Sequence, residues 1–274
     1  MSVAPVRKPK PQTVLTVQST EWLTPAMVRV VAGGEGFAAF GSNEFTDRYV
    51  KIHFARPELG LVPPYDHQAL RETLDPADVP VTRTYTLRWV DYAAQRLAID
   101  FVVHGDEGRA GPWAASAAPG DTLVVTGPGG GYAPDTTADW HLFAADETAM
   151  PAVAAALETL PADAVGLAFI EVDDEADHQD LAAPSGVDLV WLDRCGTTPG
   201  TLLTAAVRQA EWRAGRVQVF AHGEREAMKQ LRDVFFVERG LNRSQVSLSG
   251  YWALGRTEDR FQAEKREPVG KILD

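Results

Sequence analysis

Arg83-Thr84-Tyr85-Thr86-Leu87-Arg88 is the stretch of this 274-residue chain whose residue types and spacing speak most directly of a ligand. Side chains alternate along a strand, so Arg83 and Tyr85 share a face. A guanidinium can hold a phosphate bidentately, a phenol ring offers a flat face for stacking, and Thr86 adds a hydroxyl or a backbone donor. A phosphate joined to a planar ring would find partners there. The same residues also fit an exposed strand with a solvated arginine.

The elements that must position this segment follow from periodicity. Short alternating runs at 13–18, 27–32, 48–55, 82–90, 96–104 and 122–127 predict six strands with no long helix among them, hence a small antiparallel β-barrel. Residues 56–80 carry five prolines and read as a long loop of functional rather than idle character. From His141 onward, apolar runs at 141–145, 167–172, 188–192, 217–221 and 245–249 are separated by helical segments, among them 151–160 and 224–239. That alternation predicts a doubly wound parallel α/β sheet. The expected organisation is a basic disordered tail at 1–11, a barrel domain at 12–127, a Gly/Pro-rich linker at 128–139, an α/β domain at 140–256 and a charged, partly helical tail at 257–274.

Composition narrows the function classes. A 45% hydrophobic, 23% charged chain of this length suits two globular domains. No apolar run approaches the roughly 20 residues that span a bilayer, so no membrane association is expected. The net charge of -12 argues against nucleic acid, which is bound through clustered cations. Cys195 is the one cysteine, which excludes an internal disulfide and a Cys-x-x-Cys redox pair. Six scattered histidines offer no metal-ligand spacing, and no Gly-x-Ser-x-Gly elbow is present.

Asp146-Glu147-Thr148 follows the first strand of the α/β half and precedes a helix, at the carboxyl edge where nucleotides bind in such sheets. Neither Gly-x-Gly-x-x-Gly nor a P-loop accompanies it. Thr148 is equally suited to capping the helix. After the second strand of this half, Glu171, Asp173, Asp174 and Glu175 would repel a 2′-phosphate and could accept a ribose hydroxyl, which favours NADH over NADPH; a solvated acidic loop is the plainer alternative.

Five segments in order carry a resemblance. The first is Asp47-Arg48-Tyr49-Val50-Lys51, and Arg83-Thr84-Tyr85-Thr86 follows. Then come Asp100-Phe101-Val102-Val103-His104-Gly105 with Gly108 and Trp113-Ala114, Asp146-Glu147-Thr148-Ala149-Met150-Pro151-Ala152, and Gly250-Tyr251-Trp252. Together they resemble the siderophore-interacting proteins of the ferredoxin reductase superfamily. The resemblance implies an FAD-binding barrel followed by an NAD(P)H-binding domain. It implies that Arg83 binds the FAD phosphates, Tyr85 stacks on the isoalloxazine and Thr86 lies near N5, with Thr84 beside them. Asp100, Val102 and His104 belong to the second flavin segment, His104 either against the FAD diphosphate or adenosine or simply exposed at a strand end. Gly108, Arg109, Ala110, Gly111 and Trp113 would open a short helix whose free N–H groups suit a pyrophosphate. Gly111 stands where the family usually has Ser or Thr. Asp146, Glu147 and Thr148 would meet the nicotinamide nucleotide, and Tyr251 and Trp252 would cover the flavin, line the substrate pocket, or pack at the domain junction.

A ferric siderophore is often anionic, so a reductase needs a cation near the flavin edge. Lys51, which shares a strand face with Tyr49 and His53, is the expected substrate contact, and an ordinary solvent-facing lysine is its alternative. The family's basic residues after Gly-Tyr-Trp are replaced by Ala253 and Leu254, with Arg256 further on as the second candidate. The implied reaction passes a hydride from NAD(P)H to flavin and single electrons from flavin to Fe(III), releasing Fe(II) in the cytoplasm, with no side chain acting as acid or base. A ferredoxin is an alternative donor, and a monomer is expected. Rival readings are a general flavin or ferredoxin-linked reductase and a flavin- or siderophore-binding protein without turnover.

Overall fold

A computed structural model describes residues 11–105 and 108–273. Apart from Pro11, the expected disordered tail lies outside the described residues. The chain opens with β1 (Gln12–Thr24), β2 (Met27–Gly33) and β3 (Tyr49–Phe54). After a short helix, α1 (His67–Thr73), come β4 (Val81–Asp91) and β5 (Arg96–Val102), then α2 (Ala110–Ser116) and β6 (Thr122–Gly129). The six strands close into an antiparallel barrel in the order β1-β2-β5-β4-β3-β6, β6 pairing back with β1. Alternation accounts for the closure. Val28 and Val30 on β2, Val50 and Ile52 on β3, and Leu97, Ile99 and Phe101 on β5 are all buried in one cluster. Lys51 and Tyr49 point to the other face and are exposed.

The second half runs β7 (Trp140–Asp146), α3 (Met150–Leu157), β8 (Val165–Val172), β9 (Gly186–Asp193), α4 (Thr201–Gln209), β10 (Val217–Glu224), α5 (Arg225–Asp233), β11 (Val246–Trp252) and α6 (Glu258–Glu264). Its five strands form a sheet of order β11-β10-β7-β8-β9, with every pairing parallel. Apolar clusters lie on both faces, one with α3 and one with α4 and α5, which is why β7 and β10 read as unbroken apolar runs. The fold is therefore an antiparallel barrel followed by a doubly wound parallel sheet.

Three local readings are corrected. The long loop at 56–80 contains α1, whose N-cap Asp66 accepts hydrogen bonds from the Gln68 and Ala69 backbones. The helix expected over 224–239 begins one residue later. Glu224 ends β10, and its carboxylate caps α5 through the amides of Glu226 and Ala227. The last turn of that segment, Val234–Glu238, is a π-helical turn closed by Arg239 N donating to Val234 O. Burial of Val234 and Phe235 against the sheet accompanies the wider turn.

Barrel and sheet are joined by apolar packing. Met27 of β2 is buried in the α3-side cluster, with Val102 and Tyr251 packed against it. Arg88 of β4 pairs with Glu158 at the end of α3. The carboxyl edge of the parallel sheet thus faces the β3–β4–β5 wall of the barrel.

Candidate functional site

A cleft of about 570 Å³ lies along that junction, within the roughly 300–1,000 Å³ usual for small-molecule sites. β3 contributes Lys51, and β4 contributes Arg83, Thr84, Tyr85 and Thr86. From β5 come Asp100 and Val102, with His104 just beyond. The turn into α2 adds Gly108, Arg109, Ala110 and Gly111. The α/β half closes the cleft with Thr148, Tyr251 and Trp252. Fifteen of the nineteen residues singled out in the sequence thus share one surface.

Each wall has a physical cause. Tyr85 packs on Phe101 with ring centroids 4.5 Å apart, which fixes one side of its ring. Burial, then the charge of Glu258, pushes its phenol well above the ordinary tyrosine value, so it stays neutral. Thr86 is buried, and its hydroxyl meets that of Tyr251. Arg83 forks onto the Asp259 carboxylate at 2.8 and 3.2 Å. Asp100 is neutralised by Arg29, its register partner on β2, at 2.6 and 2.7 Å. Gly108 adopts φ +87°, a left-handed conformation that favours glycine. The N-cap of α2, Arg109, makes no side-chain capping bond. A Cβ at Gly111 would meet only the Val102 carbonyl at 3.5 Å and Val103 at 3.7 Å, so the hydroxyl residue usual in the family would fit there.

Four sequence candidates are turned elsewhere. Trp113 packs on Phe54 and Phe101, at 5.5 and 5.6 Å, as an outer layer of the barrel core. Asp146 is buried and joins three strand ends. It accepts from the Thr148 amide and hydroxyl, from the Glu224 amide at 2.8 Å and from Trp252 Nε1 at 2.8 Å. Burial and then Glu147 raise its pKa, opposed by the bonds from Thr148 and Trp252. Asp146 therefore orients two cleft residues, Thr148 and Trp252, without lining the cleft. Glu147 is held by Arg194 through two bonds of 2.7 and 2.8 Å and lies 3.6 Å from His104. Burial works against its charge, but the bonds from His104 and Arg194 outweigh it and keep the carboxylate below its ordinary range. Arg256 donates to Glu264 at 2.9 Å.

Thr148 does not cap α3: Ala149 holds that position, and no side chain caps it. Glu171, read as part of an acidic edge, lies within β8, fully buried, and accepts from the amides of Gly200 and Leu203 at the start of α4. Tyr49, Ser249, Glu258, Gln262 and Lys265 line the cleft without having been singled out. The last three lie at i, i+4 and i+7, one face of a helix, in a segment read only as a charged tail. Four cations, Lys51, Arg83, Arg109 and Lys265, face the cleft against two carboxylates, Asp100 and Glu258, so the site is basic on an acidic protein. Among the described residues no group of three or more His, Cys, Asp or Glu could hold a metal ion.

Comparison with known proteins agrees with this architecture. One family model, described as the siderophore-interacting FAD-binding domain, matches residues 16–132, and a second, described as siderophore-interacting protein, matches residues 138–255. The chain belongs to the siderophore-interacting protein family. A protein of known structure, a siderophore utilization protein from T. fusca, superposes with a TM-score of 0.79 at 43% identity, over 91% of this chain and 95% of that one. The ferric vibriobactin reductase ViuB of Vibrio cholerae is 31% identical over 89% of this chain and 90% of its own length. An NADPH-dependent ferric-chelate reductase of Escherichia coli is 32% identical over 87% and 91%. Membership places the chain among oxidoreductases with a flavin-binding fold. FAD fits the cleft residues: a flat phenol ring for the isoalloxazine, arginines for phosphates and a glycine turn with free amides. The family models end before α6, which lies outside both.

Proposed function

We propose that this protein reduces Fe(III) held by a siderophore and so releases Fe(II) in the cytoplasm, with FAD as resident carrier and NADH as donor. The observation that carries the reading is the joining, in one cleft, of the Tyr85 ring and the Arg83 guanidinium on β4 and Arg109 before α2 with the ammonium of Lys51 on β3. FAD, when bound, links a two-electron donor to a one-electron acceptor. The chain's own part is to bind and orient. Arg83 and Arg109 hold phosphates, Tyr85 supports the ring, Thr86 places a hydroxyl beside it, and Lys51 attracts the anionic ferric complex. Thr148 and Trp252, held by Asp146, form the wall on the nucleotide side.

NADH is favoured by charge at the carboxyl end of β8. Asp173 and Asp174 lie there, and the buried Arg194, directly after β9, is engaged by Glu147 and lies 3.6 Å from Glu171. With its one nearby guanidinium engaged by carboxylates among the described residues, this acidic edge is a poor setting for a 2′-phosphate. The Escherichia coli relative carries NADPH in its name, so the donor is a point at which members can differ. Steady-state rates on a ferric siderophore test both parts. NADH should exceed NADPH in kcat/KM, and Lys51→Ala should impair reduction of the ferric siderophore far more than reduction of a small neutral dye. Equal rates with the two nucleotides would remove the donor preference. Equal losses on both acceptors would favour a general flavin reductase.

A further inference from the structure

We propose that His53 of β3 and His67 of α1 form a binding site for a divalent transition-metal ion beside the cleft, suited to the Fe(II) that the reaction would release. The site stands on the geometry of the two side chains; only its assignment to Fe(II) rests on the ferric-siderophore reading.

Fourteen residues separate the two histidines, so no ligand spacing marks them in the sequence, and the fold brings them together. The start of α1 is tied to the barrel by Gln12, which donates to the Tyr65 carbonyl at 2.8 Å and accepts from the Tyr65 amide at 2.7 Å. Asp66 then caps the helix, and His67 is its first residue. Its Nε2 lies 2.8 Å from Nδ1 of His53. The other ring nitrogen of His53, Nε2, lies 2.7 Å from the Thr126 hydroxyl on β6. With the Nε2 proton donated to Thr126, Nδ1 carries a lone pair directed at His67. An imidazole whose far N–H is held by an oxygen, leaving the near nitrogen to ligate, is the arrangement that orients histidines on metals.

Distance and charge bear on what the pair can hold. Bonds of about 2.0–2.1 Å from one ion to two imidazole nitrogens put those nitrogens about 2.9 Å apart at a right angle and about 3.3 Å apart at the tetrahedral angle. The pair at 2.8 Å has only to open slightly, and α1, which buries none of its residues, can give by that much. Burial, then His67 and Lys51, hold His53 at about 4, and burial, then Arg71, holds His67 below its ordinary value against Asp66, so both rings are neutral at neutral pH. Lys51 and Arg71 oppose a further positive charge, and Asp66 favours it. Two protein ligands completed by water give a weak site, one that passes an ion on instead of storing it.

Position selects the ion. His53 follows Lys51 by two residues on the same face of β3, about 7 Å along the strand, and Lys51 lines the cleft. Fe(III) is at home among the hard oxygens of a siderophore, whereas imidazole nitrogen is a favourable ligand for Fe(II). Ferrous ion leaving the cleft on the Lys51 side would meet this pair.

The test is anaerobic equilibrium dialysis of tag-free, FAD-loaded protein against Fe(II), and separately against Zn(II) as a redox-silent probe of the same ligands. The wild type should bind about one ion of either metal per chain, Zn(II) more tightly, and Zn(II) should displace Fe(II). His53→Gln, His67→Gln and Thr126→Val should each raise both dissociation constants about ten- to hundredfold, with thermal melts confirming that the variants fold. His178→Gln, at a histidine bonded instead to Asp193, should leave them unchanged. Unchanged constants in both folded variants of the pair, or no binding by the wild type at about 1 mM metal, would overturn the site and leave a hydrogen-bonded clasp between α1 and the barrel. Binding of Zn(II) without Fe(II) would overturn the assignment to Fe(II). Failure of the ferric-siderophore reading is distinct: a wild type that binds Zn(II) but reduces no ferric siderophore would remove that assignment and keep the site.

Discussion

Arg83 already has a bidentate partner in Asp259, and a flavin phosphate would have to take the place of that carboxylate. The Asp259 side chain is 72% exposed, and an exposed pair of this kind is worth only about 0–1 kcal/mol. A charge-assisted, bidentate phosphate contact contributes roughly 1.5–3 kcal/mol, so the phosphate should win. Arg83→Ala is therefore expected to weaken FAD binding by about ten- to hundredfold, and Asp259→Ala to tighten it by at most about fivefold. Titration of the apoprotein with FAD, followed by flavin fluorescence, checks both. Weaker binding in Asp259→Ala would mean that the aspartate holds Arg83 in its binding conformation instead of competing for it.

At the scale of elements, the carboxyl edge of the parallel sheet is held by one buried arginine. Arg194, directly after β9, reaches Glu147 beyond β7 and approaches Glu171 on β8, whose carboxylate in turn holds the start of α4. Removing one partner from a buried pair leaves charge uncompensated and typically costs about 3–5 kcal/mol. Arg194→Ala should destabilise the protein by that amount in urea unfolding. A loss below about 1 kcal/mol would show that water replaces the guanidinium.

Much of this architecture was legible in the sequence. Strict alternation marks Val50, Ile52, Leu97, Ile99 and Phe101 as barrel core, and unbroken apolar runs mark β7 and β10 as buried on both faces. Arg83 and Tyr85 announced the cleft because their chemistry is specific. The rest was hidden for identifiable reasons. Five prolines masked α1, although its Asp66 cap was present. Asp146, Glu147 and Glu171 sit where a nucleotide would meet polar groups, but only the fold shows that each satisfies buried amides, a hydroxyl, an indole or an arginine. Glu258, Gln262 and Lys265 had the spacing of a helical face, yet nothing local tells where a C-terminal helix docks.

At the scale of the molecule, stability and function both depend on charges held in unusual places. Burial drives His222 down to about 3, and burial, then His67 and Lys51, drive His53 down to about 4. For a base with a depressed pKa the folded form binds the proton less well than the unfolded chain, whose histidines titrate near 6.5. Stability is thus complete above about pH 6.5 and is lost as pH falls toward those depressed values. For His222, which hydrogen-bonds Ser247 at 2.9 Å, the loss reaches up to about 2 kcal/mol near pH 5. Tm should fall between pH 7 and pH 5, and His222→Asn should reduce the slope. An equal slope in the variant would place the titration elsewhere.

The central claim is that electrons pass from a nicotinamide nucleotide through FAD to siderophore-bound Fe(III) in the cleft between barrel and sheet. The most direct test is the anaerobic absorbance spectrum of the FAD-loaded protein, recorded before and after NADH and again after a ferric siderophore. The account predicts a flavin band that bleaches with NADH and returns with the ferric complex. A protein that takes up no FAD, or a bleached band that the ferric siderophore leaves unrestored, would contradict it.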